Sequence, residues 1–241
     1  MTDFRSTFYE RYVSDFKSTV LLQGAALQSY WKWCDRRVFP LIADVPRDSG
    51  VLEIGCGPGY LLAYLRSKGF SQAAGIDISP EQVDIAVARG ANAKVADVFD
   101  ELSRHDASLS LILAFDVVEH FSKEENLRLF AAIRRALRPD GIVVLQTPNG
   151  AALFGGQIIY GDLTHMTIFN PNSLAQLLRR TGFTDVTFRE TAPVAKNLVG
   201  LVRAMVWLIA RSLANLVRAA ETGAGQGVWT QNQLCRAKRA E

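Results

Sequence analysis

Cysteine is scarce in this chain of 241 residues. The three cysteines, Cys34, Cys56 and Cys235, lie far apart in the sequence. Disulfide frameworks and structural zinc sites need closely and regularly spaced cysteines, so the sequence predicts neither. Unpaired cysteines are typical of a reducing compartment, and we therefore expect a cytoplasmic protein.

An excess of charge of one sign is also lacking. The chain has 27 basic and 24 acidic residues, a net charge of +3, which is too small a bias to indicate nucleic-acid binding. The mixed, charged start MTDFRSTFYERY does not resemble a signal peptide. No stretch of 18 or more residues is uninterrupted apolar, so we expect no membrane-spanning helix. With 49% hydrophobic residues, one sizeable core with extensions is expected.

From residue 51 onward, strand-like and helix-like patterns alternate. Short apolar runs are separated by segments with helix signals, such as Ser79 before Pro80, a capping box at Ser122 and Glu125, and Asn170 before Pro171. This alternation predicts a doubly wound α/β fold with a mostly parallel sheet. We expect a helical extension or lid over 1–48, a core over 49–192, a helical insertion over 193–224, and a last strand with a basic tail over 225–241.

The segment VLEIGCGPGY, residues 51–60, follows a strand-like run directly with Gly55, Gly57 and Gly59. The dinucleotide fingerprint G-x-G-x-x-G requires its third glycine at position 60, which is Tyr60. A nicotinamide-dependent oxidoreductase is therefore disfavoured. No Lys-Ser or Lys-Thr follows the glycines, so the phosphate loop is also missing. The ligand need not carry phosphates, and the glycines let it approach the backbone closely.

Acidic residues stand at three successive strand ends, at Glu53, Asp77 and Asp97. Such carboxylates would repel a diphosphate but suit a cationic nucleoside. Asp77 can accept hydrogen bonds from both ribose hydroxyls, and Asp97 can accept from an adenine amino group. The alternative role for Asp97 is to cap the segment that follows it.

These motifs, over roughly residues 49–190, resemble those of the class I S-adenosylmethionine-dependent methyltransferases. LEIGCGPG, GIDIS, ADVF and FDVVEH are similar to the first four motifs of that family, and LRPDGIVVLQTPN to the stretch leading to its fifth strand. The resemblance implies a seven-stranded Rossmann-like sheet, S-adenosylmethionine as cofactor and S-adenosylhomocysteine as product. It implies cofactor contacts at Glu53, Gly55, Cys56, Gly57, Gly59, Asp77, Ile78, Asp97, Val98 and Phe115.

The segment YGDLTHMTIFNPNSL resembles a D-x-x-H pattern in ubiquinone-biosynthesis-type and surface-polysaccharide-associated methyltransferases. That resemblance implies O-methylation, and we favour a sugar hydroxyl of a lipid-linked or surface glycan over a quinone-type phenol. His165 is the candidate base, Asp162 its orienting partner and His120 the reserve base. Alternatively, Asp162 caps a short turn and His165 only lines the pocket. A metal site built from Glu119, His120, Asp162 and His165 is a further alternative, although we expect none. A non-catalytic cofactor-binding or membrane-interaction module is the most distant alternative.

A late segment, residues 194–220, combines broad apolar stretches with Lys196, Arg203, Arg211 and Arg218. At about 100° per residue these four lie within about 80° of arc on a helix. One interpretation is packing on its own domain or on a second subunit in a homodimer. The other is a helix in a membrane interface, with the arginines toward lipid phosphates and Trp207 at the acyl boundary, on the inner face of the membrane. Arg203 and Arg211 argue against spanning.

Overall fold

The computed structural model describes residues 21–241. Residues 1–20, part of the predicted N-terminal extension, lie outside this range. In the described part of the extension, helices α1 (Gly24–Arg37) and α2 (Phe39–Ile42) precede the first strand.

Seven strands form one sheet in the order β3-β2-β1-β4-β5-β7-β6. β1 to β5 pair in parallel, whereas β7 runs antiparallel to both β5 and β6. This arrangement confirms the predicted doubly wound, mostly parallel seven-stranded fold. The strands are β1 (Val51–Ile54), β2 (Ala73–Asp77), β3 (Ala93–Val95), β4 (Leu109–Phe115), β5 (Leu137–Pro148), β6 (Phe183–Glu190) and β7 (Asn232–Arg239).

Helices connect the strands and begin where the sequence signals indicate. Ser79 accepts a hydrogen bond from the Gln82 amide, Ser122 and Glu125 form the predicted capping box, and Asn170 caps before Pro171. The helices are α3 (Tyr60–Ser67), α4 (Pro80–Ala88), α5 (Val98–Ser103), α6 (Lys123–Ala136), α7 (Gly156–Tyr160), α8 (Pro171–Arg180) and α9 (Leu198–Thr222), with a 3₁₀ turn at Val118–His120.

The sheet has a hydrophobic core on each face. On one face, α6 and α8 bury Phe130 and Leu178 with neighbouring side chains against the sheet. On the other face, α1, α2 and α3 contribute Cys34, Ile42 and Leu65. Cys34, Cys56 and Cys235 are all buried and free. Both faces are thus covered, which keeps the sheet rigid and leaves its edges for ligands.

Helix α9 leaves the end of β6 and returns to β7, and none of its residues is buried. Trp207 and Arg211 each donate a hydrogen bond to the Glu190 carboxylate, at 3.3 and 3.0 Å. The sequence-based orientation, with Trp207 and the arginines toward lipid, is therefore wrong for these two residues. A buried carboxylate at the end of β6 attracts the basic stripe, so the apolar side of α9 points outward. This helix is long and apolar enough to cross a membrane by length and composition alone.

Candidate functional site

The carboxyl ends of β1, β2, β3 and β4 meet at one edge of the sheet, because these strands run in parallel. A tight turn follows β1, and its glycines adopt positive φ angles of 70° at Gly55, 49° at Gly57 and 76° at Gly59. Residues with a Cβ rarely adopt these angles, which explains the glycines at this turn.

The three glycines differ in what a side chain would meet. A Cβ at Gly55 would lie 2.5 Å from the Val117 side chain, and one at Gly59 would lie 3.0 Å from Ala86. For a Cβ at Gly57, the nearest atom would be Gln82 Oε1, at 3.7 Å. Gly55 and Gly59 therefore allow close packing inside the protein, and Gly57 is the glycine with room beside it for a ligand. The Cys56 side chain is buried in the core, which leaves its backbone for any ligand contact.

Asp77 at the end of β2 is fixed by two backbone donors. The Gly57 amide donates to Oδ2 and the Ser79 amide donates to Oδ1, both at 2.9 Å. Each oxygen retains a lone pair, so the oriented carboxylate can accept from two adjacent hydroxyls of a ribose. Ile78 beside it is an apolar side chain that is 59% exposed, as a residue packing on an adenine would be before the ligand binds.

Glu53 in β1 is a buried carboxylate, and one of its oxygens accepts no hydrogen bond from the described residues. It is 4% exposed and contacts the backbone N–H of Leu62, while its Oε2 has no hydrogen-bond partner among the described residues. Burial, and secondly the charge of Asp77, raise the pKa of this carboxyl well above its ordinary value. A ligand ammonium group would supply both the donor and the opposite charge.

Tyr30 of α1 lies near enough to this carboxylate for the two groups to interact electrostatically, and the sequence did not predict this role. Burial raises the pKa of its hydroxyl, with further contributions from Cys34, Glu53 and Asp116. The described part of the N-terminal extension thus contributes a side chain to the site. The sequence signal, an aromatic residue in an amphipathic helix, is equally typical of core packing.

Asp97 caps α5 through Oδ1, which accepts from the amides of Phe99 and Asp100 at 2.8 and 3.2 Å. The alternative capping role is therefore present. Neither of these bonds uses Oδ2, and adenine recognition stays a prediction. Val98 is buried in the first turn of α5, and Phe115 is half-buried at the end of β4.

Two histidines face each other beyond the ends of β4 and β5. The rings of His120 and His165 have centroids 5.0 Å apart. His120 Nδ1 lies 2.9 Å from the Thr164 hydroxyl, and His165 Nδ1 lies 3.2 Å from the carbonyl oxygen of Ile159. A carbonyl accepts only, so in this arrangement His165 donates from Nδ1 and its Nε2 can take up a proton. The structure therefore brings together the two histidines predicted from separate motifs.

Asp162 accepts hydrogen bonds from Thr164, a partner that the sequence did not indicate. Its Oδ1 accepts from the backbone amide of Thr164 at 2.8 Å and from the hydroxyl of Thr164 at 2.5 Å. The His165 amide also donates to the Asp162 carbonyl at 3.3 Å, which closes a short turn. This is the capping alternative, and the Ile159 carbonyl is an orienting partner for His165. Direct orientation of His165 by Asp162 stays a prediction.

Glu119, His120 and His165 also form a group that could hold a metal ion. One potential ligand atom from each lies within 4.8 Å of the others. Glu119 is buried, and its Oε2 accepts from the Thr147 hydroxyl at 2.9 Å. Two imidazoles and a carboxylate suit several divalent metals, so the metal alternative stays open beside the acid-base interpretation.

A methyltransferase-domain family model matches residues 30–187, which is most of the chain and includes all of these groups. The chain belongs to this methyltransferase family. It is 28% identical over 163 residues to a protein of Mycolicibacterium smegmatis named as a probable S-adenosylmethionine-dependent methyltransferase, covering 67% of this chain and 62% of that one. It is 33% identical to a ubiquinone biosynthesis O-methyltransferase of Neisseria meningitidis over 108 residues, or 43% and 45% of the two chains.

Solved methyltransferases share the fold. A methyltransferase of Archaeoglobus fulgidus superposes with a TM-score of 0.66 at 21% identity, covering 98% of this chain and all of that one. A phosphoethanolamine N-methyltransferase of Haemonchus contortus in complex with S-adenosylmethionine superposes with a TM-score of 0.62 at 16% identity, covering 97% and 60%. The predicted family, fold and cofactor are confirmed. The chain spans 62% and 58% of the lengths of two mycobacterial relatives that it matches.

The residues of this methyltransferase fit its family's cofactor. S-adenosylmethionine carries a ribose, an adenine, an amino group and a positively charged sulfur. Asp77 offers oriented acceptors for the ribose, and Glu53 Oε2 is a buried acceptor that needs a donor. Gln82 Oε1 is a second buried acceptor that has no partner among the described residues, and it lies beside Gly57. Each of these unmet acceptors would gain a partner from a cationic, donor-rich ligand.

A cavity of about 590 Å³ opens at the same edge of the methyltransferase sheet. Trp33 of α1, Trp207 of α9, and Trp229 before β7 line it together with Phe154. Lys196 and Arg203 add positive charge to its wall. Trp33 stacks on Tyr30, with ring centroids 6.0 Å apart, and Tyr30 lies near Glu53. The aromatic lining therefore continues toward the cofactor site. This cavity is not predictable from local sequence patterns, because its lining comes from four separate segments.

Proposed function

We propose that this methyltransferase transfers a methyl group from S-adenosylmethionine to a hydroxyl oxygen, preferably a sugar hydroxyl of a lipid-linked or surface glycan. The reaction would take place in the cytoplasm, where its three free cysteines stay reduced. The observation that carries the hydroxyl assignment is the pair of histidines beyond the ends of β4 and β5.

A sugar hydroxyl is neutral at physiological pH, and its oxygen is a weak nucleophile. Its proton must leave as the new bond to carbon forms, so a nearby base assists the transfer. His165, held through Nδ1 by the Ile159 carbonyl, can accept that proton at Nε2. His120 is positioned by Thr164, and its ring lies beside that of His165. It would serve as a second base or as a group that binds the acceptor.

The cofactor, when bound, supplies an electrophilic methyl group on a sulfonium. The chain supplies orientation and exclusion of water. Asp77 and Glu53 would fix the ribose and amino group, so that the methyl points toward the acceptor. Tyr30 and Trp33 of α1 lie next to this site and would limit the access of water to a bound cofactor. After transfer, His165 would hold at Nε2 the proton that the acceptor hydroxyl loses.

The second candidate acceptor is a quinone-type phenol. The similarity to a ubiquinone biosynthesis O-methyltransferase supports it, although that similarity covers 43% of this chain. A phenol has a pKa of about 10 and loses its proton far more readily than a sugar hydroxyl. A phenol methyltransferase would therefore depend less on a histidine base.

The test is methyl transfer from labelled cofactor to lipid-linked glycan and quinone-precursor extracts. We expect His165→Gln to lower turnover by about 10²–10⁴-fold with cofactor affinity little changed. His105→Gln is the matched control, because His105 bonds with Ser108 and Glu101 away from these groups. Near-normal turnover in both His165→Gln and His120→Gln would contradict the base assignment and favour the phenol. Labelling of neither extract would contradict both acceptors.

Removal of metal ions distinguishes a histidine base from a metal site. Turnover that disappears on dialysis against a chelator and returns with one divalent cation would assign Glu119, His120 and His165 to a metal. Turnover unaffected by the chelator would leave the base interpretation in place.

A further inference from the structure

The outward face of α9 is unusually apolar for an exposed surface. Eleven large apolar side chains of this helix are between 47% and 77% exposed. At about 100° per residue, the four charged residues of α9, Arg203, Arg211, Arg218 and Glu221, lie within about 80° of arc. The remaining arc of about 280° carries no charged residue. Contiguous exposed apolar patches of this kind mark interaction sites.

The charged stripe is directed toward the helix's own domain along the length of α9. Lys196, before the first turn, contacts Ser29 of α1, and Arg211 in the middle pairs with the buried carboxylate of Glu190. Near the other end, Arg218 donates to the carbonyl oxygen of Ala224, in the segment that leads to β7, at 2.9 Å. The helix is therefore attached to the domain side by side.

This attachment excludes a spanning orientation. A helix that crossed the bilayer would bring the Arg211–Glu190 pair, at its middle, to the centre of the hydrocarbon, with the ends of β6 and β7 beside it. Unpaired backbone groups and a salt bridge at that depth are costly. The helix can enter a bilayer only lengthwise, with its axis in the plane of the surface.

The width of the uncharged arc decides between a bilayer and a second copy of the chain. A helix that packs on another protein surface buries a stripe of somewhat more than 100°. Such a contact in a dimer would leave more than half of the uncharged arc in water. The acyl chains of a bilayer, in contrast, can cover the whole surface of the part of the helix that enters it. We propose that α9 docks on a lipid bilayer, in the plane of the interface, with its uncharged arc among the acyl chains and its charged stripe against the domain.

The surface next to α9 is consistent with this orientation. Phe154, which is 71% exposed, and Val199 of α9 line the same cavity. The segment after Phe154 also exposes Tyr160, Leu163 and Met166, and it carries His165. The docked edge of the protein is thus also the edge where the acceptor is proposed to bind. The docking itself does not depend on the identity of the acceptor.

The test is flotation of the full chain with vesicles of phosphatidylcholine, with and without one quarter phosphatidylglycerol. We expect binding to both vesicles, and binding that persists in 1 M salt, because the inserted face carries no charge. Ile209→Lys with Leu216→Lys, opposite the charged stripe, should lower the partition coefficient by at least about 100-fold. Both side chains are well exposed, so the fold should be retained.

The matched control is Val87→Lys with Leu127→Lys, which makes the same change at two exposed helical positions outside α9. It should float like the wild type. Failure of the wild-type chain to float, or equal flotation of the α9 variant, would overturn the proposal.

Two further measurements test the orientation and the competing occupant. The native cysteines are buried, so an environment-sensitive dye can be attached at Ile209→Cys alone. Its emission should shift to the blue on addition of vesicles. Sedimentation without lipid should show a monomer. A stable dimer that the α9 lysine variant breaks, with no blue shift on vesicle addition, would assign the face to a second copy instead.

Discussion

Replacing Glu53 by glutamine is expected to stabilise the cofactor-free protein and to weaken the binding of its cofactor. The carboxylate is 4% exposed, its Oε2 has no partner among the described residues, and burial followed by the charge of Asp77 raises its pKa. When this carboxylate is ionised in the folded protein, it has lost its hydrating water and contacts one backbone N–H in its place. Glutamine keeps the shape of the side chain and removes the charge.

The sign of the effect follows from proton linkage. Because the pKa of Glu53 is higher in the folded protein than its ordinary value of 4.5, the folded chain holds this proton more tightly than the unfolded chain. The stability contributed by this carboxyl is fully present below the unfolded pKa and is lost as pH rises through the folded pKa. We therefore expect Glu53→Gln to exceed the wild type by about 1–3 kcal/mol in free energy of unfolding at pH 8, the usual cost of an unmet buried polar group. The difference should shrink toward pH 4.

Cofactor binding should change in the opposite direction. A charge-assisted hydrogen bond to the ligand amino group is worth about 1.5–3 kcal/mol, so Glu53→Gln should weaken S-adenosylmethionine about 10–100-fold. Calorimetry measures the affinity, and urea denaturation from pH 4 to pH 8 measures the stability. A variant that is less stable than the wild type at pH 8, or that binds the cofactor equally well, would refute the reasoning.

Glu101 provides the matched control. Its side chain is also hardly exposed, and burial acts to raise its pKa, but Lys94 Nζ at 2.7 Å and His105 outweigh burial and hold the pKa below its ordinary value. Its contribution to stability is present above the unfolded pKa and is lost as pH falls through the folded pKa. Glu101→Gln should therefore lower stability at pH 8, by about 0.2–1 kcal/mol because Lys94 is half exposed.

The remaining predictions concern the glycine turn and the ribose site. Asp77→Asn should weaken the cofactor by about 1.5–3 kcal/mol in calorimetry, since an amide accepts less strongly than a carboxylate held by Gly57 and Ser79; unchanged affinity would remove the ribose assignment. Gly55→Ala should lower the free energy of unfolding by about 1–3 kcal/mol in urea denaturation, because φ is 70° and the new Cβ would lie 2.5 Å from Val117. A neutral effect at Gly55 would mean that the turn relaxes freely.

The features predicted correctly from the sequence depend on neighbours along the chain. A helix cap such as Ser122 with Glu125 satisfies groups three residues away, and a strand followed by a glycine turn is recognisable within ten residues. The seven-stranded, mostly parallel sheet followed from the alternation of elements together with the family resemblance. These signals need no knowledge of which distant segment lies opposite.

The features that were missed depend on contacts between distant segments. The basic stripe of α9 was identified, but its direction depends on Glu190, a carboxylate that the sequence does not mark as buried. Tyr30 lies near Glu53 only because α1 packs against β1 and α3. The hydrogen bonds from the hydroxyl and the amide of Thr164 to Asp162 were not predicted either, although Thr164 lies between Asp162 and His165 in the sequence.

The position of the insertion links the proposed docking to the chemistry. β6 runs parallel to β5, and β7 runs antiparallel to both, so β6 ends and β7 begins at the edge where the cofactor residues lie. Any segment inserted between β6 and β7 must leave the sheet at this edge. An apolar helix there brings the bilayer close to the proposed active site. The same helix between β3 and α5 would instead lie beside Asp97, the residue predicted to recognise adenine. A second apolar element on the opposite edge of the sheet would argue against this arrangement, and α9 is the single helix among residues 21–241 that meets the length and composition of a membrane segment.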